Sequence, residues 1–264
     1  MTLHAVGLVL VGLLGLVVGS FLNVVVWRVP RGESVVSPPS TCPSCEARIA
    51  WYDNVPVVSW LVLRGRCRRC GSRITPRYLV VEALSGLLFV ATALVVGWNL
   101  ALPAFLYLAA VSVALAAIDI DVHRLPDAIV LPSYPVAAVL LALASWDVGV
   151  GYDGGALLRA AIGGIALFVL YLTLVLVNPR GMGLGDLKLS GVLGMYLGWV
   201  GWGALAVGAF GAFLLGGVFG IALMLAGRAG RKTSVPFGPW MLLGAATGVA
   251  VGEPLAAWYV AMTF

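Results

Sequence analysis

The chain has 264 residues, 61% of them hydrophobic and only 10% charged, with a formal net charge of +5 and a mean hydropathy of +1.05. A soluble domain carries about 25% charged residues, so a soluble enzyme is excluded and an all-α polytopic membrane protein is the expected fold class. The positive balance fits membrane topology and contact with anionic lipid; nucleic acid is not an expected partner.

A membrane-spanning helix needs about 20 apolar residues. In chain order such stretches fall at 4–27, 78–97, 101–118, 128–146, 156–177, 187–200, 204–226 and 238–260, which predicts about eight transmembrane helices. The sixth is short and rich in glycine. The first lacks a basic flank ahead of it, is longer than the apolar core of a signal peptide, and runs straight into Arg28 and Arg31, so it reads as a retained anchor. Most of the 34 glycines lie inside these apolar runs, where small residues let helices approach closely in lipid. The tryptophans fall mostly near segment ends, as an aromatic belt requires.

Between the first two spans lies one large polar loop, residues 28–77, and it contains all four cysteines. Cys42-Pro-Ser-Cys45 and Cys67-Arg-Arg-Cys70 are two Cys-x-x-Cys knuckles separated by 21 residues. Such a pair supplies four thiolates for a tetrahedral zinc site. Gly71 suits the second turn, and Arg66, Arg68 and Arg69 are placed to favour thiolates. Two disulfides are the competing reading, disfavoured in a reducing cytoplasm. Four protein ligands leave no open position, so Zn2+ here is expected to be structural and to supply folding energy to a loop with little core.

Lys and Arg concentrate in cytoplasmic loops. With segment 28–77 inside, alternation of eight spans puts fifteen of the sixteen basic residues on that side, leaving Arg159 near the outer face. Both chain ends are then outside. Two acidic positions arrive at the inner face: the cluster Asp119-Ile-Asp121 with Asp127 after the third span, and Asp186 at the start of the sixth, within Gly181-Met-Gly183-Leu-Gly185-Asp186. Ionisable groups at membrane depth are costly and mark function. The residues alone leave Asp119, Asp121 and Asp127 open as the partner of Asp186, although Asp127 has the alternative role of capping the helix after it.

The ordered set of motifs resembles the type IV prepilin peptidases, membrane aspartic proteases of the Gly-x-Gly-Asp type. The set begins with Gly19-Ser-Phe-Leu-Asn-Val-Val-Val-Trp-Arg28 and the two knuckles, with Trp51-Tyr-Asp-Asn-Val-Pro-Val-Val-Ser-Trp60 between them. It continues through Arg77-Tyr78, Glu82, Asp119-x-Asp121-x-x-x-x-Pro126-Asp127, Gly183-Leu-Gly-Asp186 and Pro236-Phe-Gly-Pro239, covering nearly the whole chain. The resemblance implies a multi-pass enzyme of the bacterial inner membrane, with residues 1–27 a first helix, 28–77 a cytoplasmic zinc loop and 78–264 the peptidase core. It implies removal of the short basic leader from type IV prepilins and pseudopilins. It further implies N-methylation of the new amino terminus with S-adenosylmethionine, although no glycine-rich nucleotide fingerprint supports that independently.

Asp119 occupies the first position of the family's pattern and, with Asp186, is the expected catalytic pair; Asp121 is the second choice. Two aspartates hydrolyse a peptide by sharing one proton, one carboxylate activating water and the other carboxyl assisting the carbonyl. Gly183 and Gly185 are expected to let the backbone approach a substrate strand. A transporter or assembly scaffold with an acidic proton relay and a zinc docking loop is the alternative. It calls for internal repeats between the two halves, and none is found.

Overall fold

The computed structural model describes residues 3–147, 151–179, 181–228, 230 and 236–263. Arg180, Arg231 and Lys232, three of the basic residues expected on the inner side, lie outside the described residues. Nine α-helices are present among the described residues: α1 Leu3–Arg28, α2 Val58–Val62, α3 Arg77–Val96, α4 Leu102–Val122, α5 Asp127–Ala144, α6 Gly154–Val177, α7 Leu184–Val200, α8 Trp202–Leu225 and α9 Gly238–Thr263. Eight of them answer to the eight expected spans, with ends shifted by a few residues. Seven are long and apolar enough to cross a membrane by length and composition.

The exception is α7, the span that its shortness and glycine content set apart in the sequence. It has 17 residues, about 25 Å at 1.5 Å per residue, against ~30 Å of hydrocarbon. It can be short because it does not face lipid alone. Asp186, Leu187, Leu189 to Gly194 and Tyr196 to Gly198 are all buried, and α5, α6, α8 and α9 pack around it.

The chain divides into two compact units. The first comprises Met1–Trp98 with Phe105–Ala114, and the second Asn99–Ala104 with Leu115–Phe264. In the first, α1 and α3 run side by side through glycine contacts. A Cβ on Gly15 would lie 2.7 Å from the Ser85 carbonyl oxygen, and one on Gly19 would lie 2.8 Å from the Glu82 Cα. In the second, α6 packs on α7 and α8 on α9 in the same way. A Cβ on Gly163 would meet the Gly194 carbonyl oxygen at 2.5 Å, and one on Gly248 the Ala204 carbonyl oxygen at 2.5 Å. Lipid gives helices no hydrophobic reason to associate, so these backbone approaches, with their dispersion contacts, hold the bundle. A short hairpin joins α5 to α6, with β1 (Trp146–Asp147) antiparallel to β2 (Gly151–Tyr152). Asp153 then caps α6, its Oδ1 accepting from the Ala156 N–H at 2.9 Å.

Candidate active site and metal centre

Asp119 lies in the last turn of α4, which ends at His123 in the left-handed conformation, its N–H donating to the Asp119 carbonyl at 2.9 Å. Asp119 is 5% exposed. Asp121, two residues on and about 200° around the helix, is exposed. The Asp119 carboxylate is held from the start of α9: the Gly238 N–H donates to its Oδ2 at 2.9 Å. Helix amino termini carry partial positive charge and unpaired N–H groups, so this is a favourable seat for an anion.

Asp186 is the third residue of α7, buried at 9% exposure. Its Oδ2 accepts from the Gly183 N–H at 3.2 Å, half of a capping box, with glycine unable to return the bond. Each carboxylate therefore sits at a helix amino terminus. Leu125, between α4 and α5, fills the space at both donor segments. It lies 2.8 Å from where a Cβ on Gly185 would be and 3.3 Å from one on Gly238. The close approach that Gly185 permits is thus made by this chain's own Leu125.

Asp127 does not cap α5. The helix begins at Asp127 itself and its N-cap is Pro126. The Lys188 ammonium reaches from α7 to both Asp127 oxygens at 2.8 Å, an ion pair that wins over capping. Lys188 is accordingly not a partner of Asp186. Tyr171 of α6 is fully buried. Its ring stacks with Phe213 and Phe237, centroids 5.5 and 6.4 Å away. Phe237 directly precedes Gly238, so this cluster fixes the segment whose N–H holds Asp119. The role of Pro236-Phe-Gly-Pro239 was not legible in the motif itself. The signal available was a glycine at the expected start of an apolar helix.

The four cysteines come together in the first unit. All are free thiols, with their sulfurs within 4.8 Å of one another. Ligands 2.3 Å from a tetrahedral zinc stand about 3.8 Å apart, and Cys42 Sγ and Cys70 Sγ are 3.8 Å apart. The knuckles are copies of one another, each reading Cys-x-x-Cys-x-x-Arg-Ile, at Cys42–Ile49 and Cys67–Ile74. The Cys42 N–H donates to the Ala47 carbonyl and the Cys67 N–H to that of Ser72, both at 2.9 Å. Glu46 and Gly71 occupy matching left-handed positions, φ 55° and 69°. That repeat was legible in the sequence and was missed.

The Ser72 hydroxyl sits among the sulfurs, 3.1 Å from Cys70 Sγ and 3.6 Å from Cys42 Sγ. Together with the N–H groups of Ser44 and Cys45 it pulls the Cys42 thiol down to about 6. The expectation that Arg68 favours the thiolates is corrected. Its guanidinium is taken by Asp53, Nε donating to both carboxylate oxygens at 2.9 Å and Nη2 to Oδ1 at 2.6 Å. That bond ties the Trp51–Asn54 turn to the second knuckle.

Comparison with known proteins agrees with these motifs. Residues 13–96 match the Bacterial Peptidase A24 N-terminal domain, and residues 106–225 match the Type IV leader peptidase family. Among curated relatives, prepilin leader peptidase/N-methyltransferase of Myxococcus xanthus is 42% identical over 222 residues, 83% of this chain and 64% of that protein. The proteins of the same name from Aeromonas hydrophila and Dickeya chrysanthemi are 36% and 35% identical, covering 95% and 90% of this chain and 93% and 90% of theirs. No solved structure matches. By these matches, and by the ordered motifs on a bundle of membrane helices, the chain is a multi-pass membrane protein of the type IV leader peptidase family.

Proposed function

We propose that this protein is a membrane aspartic endopeptidase that removes the leader from prepilins, with Asp119 and Asp186 as the catalytic pair. The observation that carries the reading is two buried carboxylates, each accepting from a backbone N–H at a helix amino terminus, with Leu125 packed against both of those helix starts. Backbone N–H groups engage Oδ2 of each, which leaves the two Oδ1 atoms for a shared proton and a water. The ionised carboxylate takes a proton as the water oxygen attacks the scissile carbonyl carbon, and the protonated carboxyl gives its proton to the carbonyl oxygen. Collapse breaks the C–N bond: the leaving nitrogen takes the proton held by the first carboxylate, and a hydroxyl proton of the intermediate returns to the second. Gly183 and Gly185 serve by admitting the Asp186 bond and Leu125.

Prepilin peptidase activity comes from the relatives' names, as does methylation of the exposed amine. The leader is cut on the inner face of the bacterial cytoplasmic membrane, where its basic residues stay with the positive-inside loops. Pseudopilins, whose leaders have the same character, are substrates of the same kind.

Cys42, Cys45, Cys67 and Cys70 fit Zn2+ by donor type and spacing, and as a closed site the metal organises the loop. S-adenosylmethionine would supply an electrophilic methyl group. A cleft of about 460 Å³ lined by Ser40, Arg48, Trp51 and Asn54 falls within the usual size of small-molecule sites. If S-adenosylmethionine bound there, Trp51 would offer a face to its adenine, Ser40 and Asn54 would be available to its hydroxyls, and Arg48 would pair with its carboxylate. The test is a purified-protein assay on a prepilin. Loss of cleavage in both Asp119→Asn and Asp186→Asn, with Asp121→Asn active, supports the pair; cleavage by either variant refutes it.

A further inference from the structure

Helix α2 turns its polar contacts inward and its apolar side out. Trp60 lies against Gly65 and donates from Nε1 to the Ile74 carbonyl at 3.4 Å. The Ser59 hydroxyl donates to the Tyr52 carbonyl and accepts from the Val55 N–H, both at 3.0 Å. On the other side Val58, Leu61 and Val62, at i, i+3 and i+4, are 55%, 57% and 70% exposed. A short helix in a polar segment facing water presents the reverse pattern.

The position of α2 says what lies against that face. Just ahead of it, the Val57 N–H donates to Glu82 Oε2 at 2.7 Å. Glu82 is nine-tenths buried and is the sixth residue of α3, about 7.5 Å along a helix rising 1.5 Å per residue. Helix α3 is itself long and apolar enough to span a membrane. Val57 holds φ at 62°, an uncommon and strained state for a β-branched residue. A buried carboxylate and a strained valine are thus combined in one bond that ties the start of α2 to α3. After α2, residues 63–77 carry Arg64, Arg66, Arg69, Arg73 and Arg77, besides Arg68 which Asp53 holds, and no acidic residue. An apolar helix face backed by arginines matches an anionic lipid surface.

We propose that α2 is an interfacial membrane anchor. Val58, Leu61 and Val62 insert at the boundary between headgroups and acyl chains of an anionic bilayer, and the Glu82–Val57 bond latches the helix there. Because Cys67 follows α2 by only five residues, the anchor holds the four-cysteine module against the membrane surface. The inference is independent of the peptidase reading.

The test uses the full chain in nanodiscs containing anionic lipid. An environment-sensitive fluorescent amino acid is introduced by amber suppression at Leu61, at Val62 or, as an exposed control, at Glu33, which leaves the cysteines intact. Quenching by lipids with a nitroxide on the acyl chain should be several-fold stronger at 61 and 62 than at 33, and quenching by aqueous iodide several-fold weaker. Iodide quenching at 61 and 62 equal to that at 33 overturns the anchor. So does shielding from iodide and lipid nitroxide alike, which would mean a protein cover. In the Glu82→Ala background, iodide quenching at 62 should rise several-fold, whereas Glu82→Gln, which keeps an acceptor oxygen, should stay near wild type. An unchanged Glu82→Ala profile overturns the latch.

Discussion

Gly238→Ala perturbs Asp119 without touching its chemistry. The new methyl carbon falls 2.8 Å from Oδ2 and 3.3 Å from Cγ of Asp119, with Leu125 Cδ2 also 3.3 Å away. The carboxylate must move off the Gly238 N–H, whose present bond is 2.9 Å. Gly238 does not use a left-handed backbone, so alanine enters without backbone strain, and the helix start should not lose more than ~1 kcal/mol. A hydrogen bond to a charged group contributes about 1.5–3 kcal/mol, and 1.36 kcal/mol is about tenfold in rate. We therefore expect kcat for prepilin cleavage to fall roughly 10- to 150-fold, with KM changing less, because the displaced carboxylate acts in the chemical step. The assay is steady-state cleavage by purified protein, with thermal unfolding measured alongside. Gly217→Ala, where a Cβ would meet nothing within 4 Å, is the control and should retain full rate. A wild-type kcat in Gly238→Ala, or a loss that only tracks unfolded protein, would refute the reasoning.

Cys67→Ser should release bound zinc, read by elemental analysis, and reduce methylation more than cleavage, because the carboxylates belong to the other unit; equal losses of both activities would count against this. Gly194→Val should separate α6 from α7, since any Cβ at 194 collides with the Gly163 backbone, and should lower the unfolding temperature and inactivate the protein. Lys188→Met removes an ion pair whose partners are 35% and 56% exposed, so stability should change by no more than about 1 kcal/mol; total inactivation would show that Lys188 does more than join α5 to α7.

The helices were legible because hydropathy marks them, and their ends came out within a few residues. What could not be read was enclosure: α7 looked like a weak span and is the element around which four others pack. Asp119 and Asp121 were hard to separate from spacing alone, and the turn of α4 buries one and exposes the other. The glycines of the Gly-x-Gly-Asp motif were visible, but their neighbours were not. Leu125 packs on Gly185 from 60 residues before it, and Gly238 holds Asp119 from 119 residues after it, and such pairings leave no local trace. The same holds for Arg68 with Asp53 and for Val57 with Glu82. The knuckle repeat is legible in the sequence but lies at an offset of 25 residues within one loop, not between the two halves of the chain.

The central claim is that Asp119 and Asp186 cut the leader together, and intact-mass analysis tests it most directly. Purified wild-type protein is incubated with a full-length prepilin, with and without S-adenosylmethionine, beside Asp119→Asn and Asp186→Asn proteins shown to be folded. The wild type should yield the mature pilin, heavier by one methylene when the methyl donor is present, and both variants should leave the prepilin at full mass. Mature pilin formed by either folded variant would contradict the account.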